Sequence, residues 1–136
     1  MNLNSYLFFD GRCEEALRFY AELLGGEIET LMTYKGSPME DQTDPGWHDK
    51  IMHGSVKLGG QSLMGSDSPP QHFHTTQGFG VSISLDDVAE GEHVFKALAE
   101  NGQVTMPFQK TFWAHGFGMV TDRFGTPWMV NCDQPA

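Results

Sequence analysis

The chain opens on an apolar and aromatic run, Leu3 to Phe9, whose length predicts a β-strand. Nearly every position in it is apolar, so the expected strand is covered on both faces. Asp10-Gly11-Arg12 reads as a turn. From there Cys13, Ala16, Leu17, Tyr20, Leu23 and Leu24 follow the spacing of a helix with one buried stripe. Gly25-Gly26 stops that helix, because glycine accepts a left-handed cap. Glu27 to Tyr34 alternates as a strand does. Lys35 to Lys50 is polar, holds two prolines, and is long for a connection, the length of a lid, a dimer arm or a mobile excursion. Ile51 to Leu58 and Gln61 to Gly65 are strands joined by the hairpin turn Gly59-Gly60.

After Asp67-Ser68-Pro69-Pro70 the same order returns. Gly78 to Leu85 is a strand. Asp87 with Glu90 resembles a capping box, and Val88, Val94, Phe95 and Leu98 form the stripe of a second helix. Asn101-Gly102 stops it. Gln103 to Gln109 is a strand whose Pro107 places it at an edge or bulge. Thr111 to Thr121 holds another strand, Asp122 to Gly125 is a turn, and Pro127 to Cys132 is the last strand. A shift of 76 positions lays Glu14 on Glu90, Phe19 on Phe95, Ala21 on Ala97, Gly26 on Gly102 and Ile28 on Val104. The expectation is an α+β fold of tandem βαβββ modules, with curved, mostly antiparallel sheets around a cup. The modules span about residues 1–66 and 78–132 of a single domain, with 67–77 as linker.

The net charge of −10 argues against nucleic acid and anionic membranes as partners, and fits a cationic small molecule or plain solubility. No apolar run has the roughly 20 residues of a bilayer-spanning helix. The N-terminal residues lack a signal-peptide pattern, so a cytoplasmic location is expected. Cys13 and Cys132 have no metal-type spacing, and Cys13 lies on the apolar helix face as a small hydrophobe.

Several segments together resemble the PhnB-like (YjdN-like) branch of the vicinal-oxygen-chelate superfamily, the glyoxalase, bleomycin-resistance and extradiol-dioxygenase fold. They are Asp10 to Ala16, Leu24-Gly25-Gly26, His53 with Leu63 to Asp67, Thr111 to Gly118, and Asp122 to Asn131. The resemblance implies two modules per chain, each sheet forming half of a cup, and commonly a homodimer. In metal-using members, His and Glu ligands project from the first and last strand of each module. Here the corresponding stretches, Leu3 to Phe9, Gln61 to Gly65, Gly78 to Ser84 and Pro127 to Asn131, contain no His, Glu, Asp or Cys, and a lone amide such as Asn131 does not hold a transition metal. No metal and no cofactor are therefore expected. The branch is often labelled a ubiquinone-type methyltransferase, but Asp10-Gly11-Arg12 is too short and too acidic for a glycine-rich cofactor loop.

Of six histidines, His48 in the long loop and His93 on a helix are expected in solvent. His72 and His74 alternate in an extended segment, without a third metal ligand. Trp113, His115 and Phe117 share one face of a strand, with Ala114, Gly116 and Gly118 on the other. That ridge reads as a cup wall, as core packing or as a dimer contact. The candidates for catalysis are His53, Asp67 and His115, with a turn-capping role open for Asp67. The candidates for ligand binding are Trp113, His115, Phe117, Trp128, Asn131 and Met64. The expected function is metal-independent binding of a small, partly apolar molecule, cationic or aromatic. The alternative is a glyoxalase-class lyase, isomerase or transferase.

Overall fold

The computed structural model describes residues 1–133. The chain divides into two compact units, Met1–His74 and a second beginning at Thr75. The first holds β1 (Ser5–Phe9), α1 (Cys13–Leu24), β2 (Glu27–Thr33), β3 (Ile51–Leu58) and β4 (Gln61–Asp67). The second holds β5 (Val81–Leu85), α2 (Val88–Ala99), β6 (Gln103–Gln109), β7 (Ala114–Thr121) and β8 (Pro127–Asp133). The strand orders are β1-β4-β3-β2 and β5-β8-β7-β6. In each sheet the first and last strands pair in parallel and the other pairs are antiparallel. This is the α+β fold of two βαβββ modules that the repeat predicts.

In the first unit, Leu7, Phe9, Leu63, Val56, Ala16, Leu17 and Tyr20 are buried. A Cβ on Gly54 would meet Leu17 Cδ1 at 2.7 Å, so β3 lies directly under the helix. One face of the sheet is thus packed on α1, and period-two alternation turns Tyr6, Phe8, His53, Ser55, Met64 and Ser66 to the helix-free face. Phe8 is 57% exposed, which corrects the expectation that this strand is covered on both faces. The aromatic content of the run hides an ordinary one-sided alternation.

The second unit repeats the plan. Gly116 and Gly118 lie against Phe108, and Gly118 also against Phe95 of α2. Ala114, Val120, Trp128, Val130 and Cys132 complete the buried face. β6 is an edge strand with register shifts around Met106, as Pro107 requires. Strand β7 begins at Ala114 rather than Thr111, because the Thr111 hydroxyl accepts from Ala114 N at 3.1 Å and closes a turn there.

The long loop is built rather than loose. It carries two short 3-10 turns, Glu40–Gln42 and Pro45–Trp47. His48 is half-buried, with Nε2 3.2 Å from the Glu40 carbonyl and 3.1 Å from that of Thr43. That corrects its expected place in solvent: the imidazole satisfies two loop carbonyls.

Candidate functional site

Strand β4 brings distant residues together. Its last residue, Asp67, is buried. One carboxylate oxygen accepts from Gly11 N at 3.0 Å and Cys13 N at 2.8 Å, and the other from Ile51 N at 2.9 Å. The Tyr34 hydroxyl donates to its carbonyl at 2.7 Å. Asp67 therefore caps the start of α1 and pins β3. Both oxygens are engaged by main chain and the residue is 1% exposed, so the carboxylate is structural. The turn between β7 and β8 of the second unit holds another buried carboxylate, Asp122, which accepts from Phe124 N, Thr126 N and Trp128 Nε1. Trp128, expected to line a cup, is instead buried beside Val120 and Val81 in register, its indole bonded to Asp122 at 2.8 Å.

The helix-free face of the first unit carries the better-formed chemistry. Register places Tyr6, Met64 and Ser55 in one row, Tyr6 pairing with Met64 and Ser55 with Met64. Phe8 pairs with Ser66, and His53 pairs with Met32. The Tyr6 side chain reaches from β1 to β3, its hydroxyl 3.0 Å from His53 Nδ1. The two rings stack at 5.6 Å and 23°, and Phe8 lies 5.1 Å from Tyr6. Ser55 Oγ donates to Glu29 Oε1 at 3.3 Å. The result is an aromatic cluster flanked by methionines, with a hydrogen-bonded Tyr–His pair at its centre. His53 and Met64 were legible as candidates. Tyr6, Phe8, Met32, Glu29 and Ser55 were missed, although the period-two alternation through Leu3 to Phe9 held the signal for the two aromatics.

In the second unit, β7 and β8 place Phe117 opposite Asn131 and Met119 opposite Met129. Trp113 lies outside the strand but keeps its ring 5.3 Å from that of Phe117, edge to face. His115 is on the same face, half-buried. Asn131 Nδ2 donates to Asp133 at 2.6 Å, while its Oδ1 is buried without a partner among the described residues. Trp113, His115 and Phe117 thus share one face, as their spacing predicts, and β8 adds Asn131 to it.

Among the described residues, no three His, Cys, Asp or Glu side chains could hold a metal ion. The helix-free positions of the first and last strands are Tyr6 and Phe8, Met64 and Ser66, Ser82 and Ser84, and Met129 and Asn131. Such hydroxyl, thioether and amide groups do not fit a catalytic transition metal. A nucleotide-type cofactor does not fit the start of α1 either, because its main-chain donors at Gly11 and Cys13 are taken by Asp67. Among the described residues, no helix is long and apolar enough to cross a membrane.

Comparison with known proteins is consistent in family and fold. The profile of the family described as 3-demethylubiquinone-9 3-methyltransferase matches residues 1–131. Protein YjdN of Escherichia coli (strain K12) is 37% identical, over 96% of this chain and 95% of its own. The crystal structure of PA1353 from Pseudomonas aeruginosa is 43% identical, with TM-score 0.90 over 99% of both chains. The PhnB protein from Bacillus cereus is 28% identical, with TM-score 0.82 over 97% of this chain and 99% of its own. A glyoxalase/bleomycin resistance protein/dioxygenase family enzyme from Burkholderia phytofirmans PsJN shows the fold alone, at 12% identity and TM-score 0.64 over 96% and 97%.

Proposed function

The chain belongs to the 3-demethylubiquinone-9 3-methyltransferase family, on the PhnB/YjdN-like branch of the glyoxalase and bleomycin-resistance fold, and we propose that it is a metal-independent small-molecule binding protein. The ligand is small, flat and aromatic. The observation that carries the reading is the Tyr6–His53 pair, hydrogen-bonded at 3.0 Å on a helix-free sheet face beside Phe8 and Met64. Aromatic and thioether groups give stacking area, and a single polar pair fixes orientation, the usual composition of a ligand site. If the Tyr6 hydroxyl donates to Nδ1, the tautomer leaves His53 Nε2–H as a donor toward a ligand oxygen. The face bearing Trp113, His115, Phe117 and Asn131 is proposed as a second aromatic wall. The methyltransferase in the family description draws no support from the residues, for the reason given at the start of α1.

A thermal-shift screen of small aromatic acids, phenols and amines tests this. A ligand that raises the melting temperature, and loses the effect in His53→Ala and Met64→Ala, supports the site. A screen without a hit, or a hit indifferent to both variants and to Trp113→Ala, removes it. A glyoxalase-class enzyme is the second reading, favoured by the same Tyr–His pair as acid and base. It requires turnover of the bound ligand that is abolished in both Tyr6→Phe and His53→Ala.

A further inference from the structure

A concavity lies wholly within the first unit, and neither Tyr6, Phe8, His53 nor Met64 lines it. It has a volume of about 580 Å³, within the range of small-molecule sites, and lies between the long loop and the turn at Pro69. Tyr34, Met39, Trp47 and Pro69 supply apolar and aromatic walls. Asp44 is the carboxylate and His72 the imidazole in the lining, and no lysine or arginine is among them.

Both walls are preorganised. The Asp44 carboxylate accepts from Gly46 N at 2.8 Å and caps the turn that carries Trp47. His48 ties that turn to Glu40 and Thr43, and the Thr43 hydroxyl donates to the Met39 carbonyl at 2.7 Å. Across the groove, His72 N and Phe73 N both donate to the Pro69 carbonyl. Trp47 already lies 5.9 Å from the Lys50 ammonium, so the ring sits in an environment that holds a cation near it. Its indole Nε1 is buried without a partner among the described residues, an unused donor in the same wall.

We propose that this groove binds a small organic cation, an alkylammonium or quaternary ammonium group, through the Trp47 and Tyr34 rings and the Asp44 carboxylate. The charge complementarity is local, since the lining holds the Asp44 carboxylate and neither lysine nor arginine, and it is reinforced by the net charge of −10. The site is independent of the aromatic cluster around Tyr6 and His53, so either proposal stands without the other.

The test uses the full chain in ¹H–¹⁵N spectra, with the Trp47 indole resonance identified by Trp47→Phe. The protein is titrated at constant ionic strength with choline and, separately, with dimethylbutanol, its uncharged carbon isostere. The expected result is a saturable shift of the Trp47 indole with choline and about tenfold weaker binding of the isostere. Asp44→Asn keeps an oxygen to cap Gly46 N, so it leaves the loop amide resonances in place while weakening choline about tenfold. Absence of a saturable shift overturns the proposal. So does equal binding of the two probes, or choline binding unchanged in Asp44→Asn. If Asp44→Asn displaces the loop resonances, Asp44→Glu replaces it, and retained cation preference there is the supporting result.

Discussion

Asp67 connects three segments that the sequence keeps far apart. Removing its carboxylate in Asp67→Ala leaves the buried donors at Cys13 and Ile51 and the half-buried one at Gly11 unpaired at once. The expected loss is at least about 3 kcal/mol of unfolding free energy, since each such donor costs about 1–3 kcal/mol. Urea denaturation reads it, and a loss under about 1 kcal/mol would mean that water replaces the carboxylate. A capping role was readable from the Pro-Pro that follows. The capped helix was not, because the partners lie 54 and 56 residues away and only the parallel β1–β4 pairing joins them. Cys13 lies beneath the same carboxylate. Burial, then Asp67 and Glu14, push its thiol well up from the ordinary value of 9.0. Cys132 and Tyr34 are also raised, each chiefly by burial. These groups keep their protons in the folded state when the unfolded chain has already lost them. Their stabilisation is therefore fully present below pH 9, the unfolded thiol value, and is lost as pH rises above it. Stability should fall by up to about 1.4 kcal/mol per pH unit per thiol there, and the slope should flatten in Cys13→Ala. A profile level between neutrality and the alkaline range, in matched denaturant series, would contradict the assignment.

The ends of the two helices show how an element is specified, and how much of it a sequence reveals. Gly25 has φ +74° and Gly26 has no such strain, yet a Cβ on Gly26 would meet the Lys57 carbonyl at 2.6 Å. Seventy-six positions on, Asn101 has φ 58° and a Cβ on Gly102 would run into the Thr121 carbonyl. In each unit, then, the first residue of the pair bends the chain left-handed and the second lets the helix end touch the backbone of β3 or β7. The glycine stops were legible. That the second glycine acts by close approach rather than by conformation was not, because the obstructing carbonyls belong to β3 and β7. Backbone cannot step aside cheaply. Gly26→Ala and Gly102→Ala should each cost about 2 kcal/mol or more, against about 1 kcal/mol for Gly25→Ala. Asn101→Gly should gain a few tenths to about 1 kcal/mol, by relieving left-handed strain that glycine does not feel. Chemical denaturation of the four variants orders them, and equal costs at Gly25 and Gly26 would reject the distinction. The same register logic explains the candidate site. Residues of β7 were grouped correctly because their spacing is local, whereas the Tyr6–His53 pair crosses β4 and needs the strand order β1-β4-β3 to be known.

At the scale of the molecule, two properties oppose each other. Eighteen acidic and eight basic side chains give a net charge of −10, which drives copies apart. Yet large apolar side chains stand in solvent, with Phe112 91% exposed, Phe79 52% and Trp113 47%. A monomeric protein seldom leaves so much aromatic surface uncovered. We propose that a second copy of the chain covers part of it in a homodimer. Association would then be driven by apolar burial and resisted by like charge, so added salt should strengthen it, because about 0.15 M salt screens charges beyond about 8 Å. Sedimentation at low and moderate sodium chloride measures this: the expected dimer tightens as salt rises, and Phe112→Ala with Trp113→Ala shifts the equilibrium toward monomer. An interface held by ion pairs would weaken with salt instead. A monomer at every salt and protein concentration would leave the aromatic surface to another partner, with the apolar ligand of the helix-free faces first among the candidates.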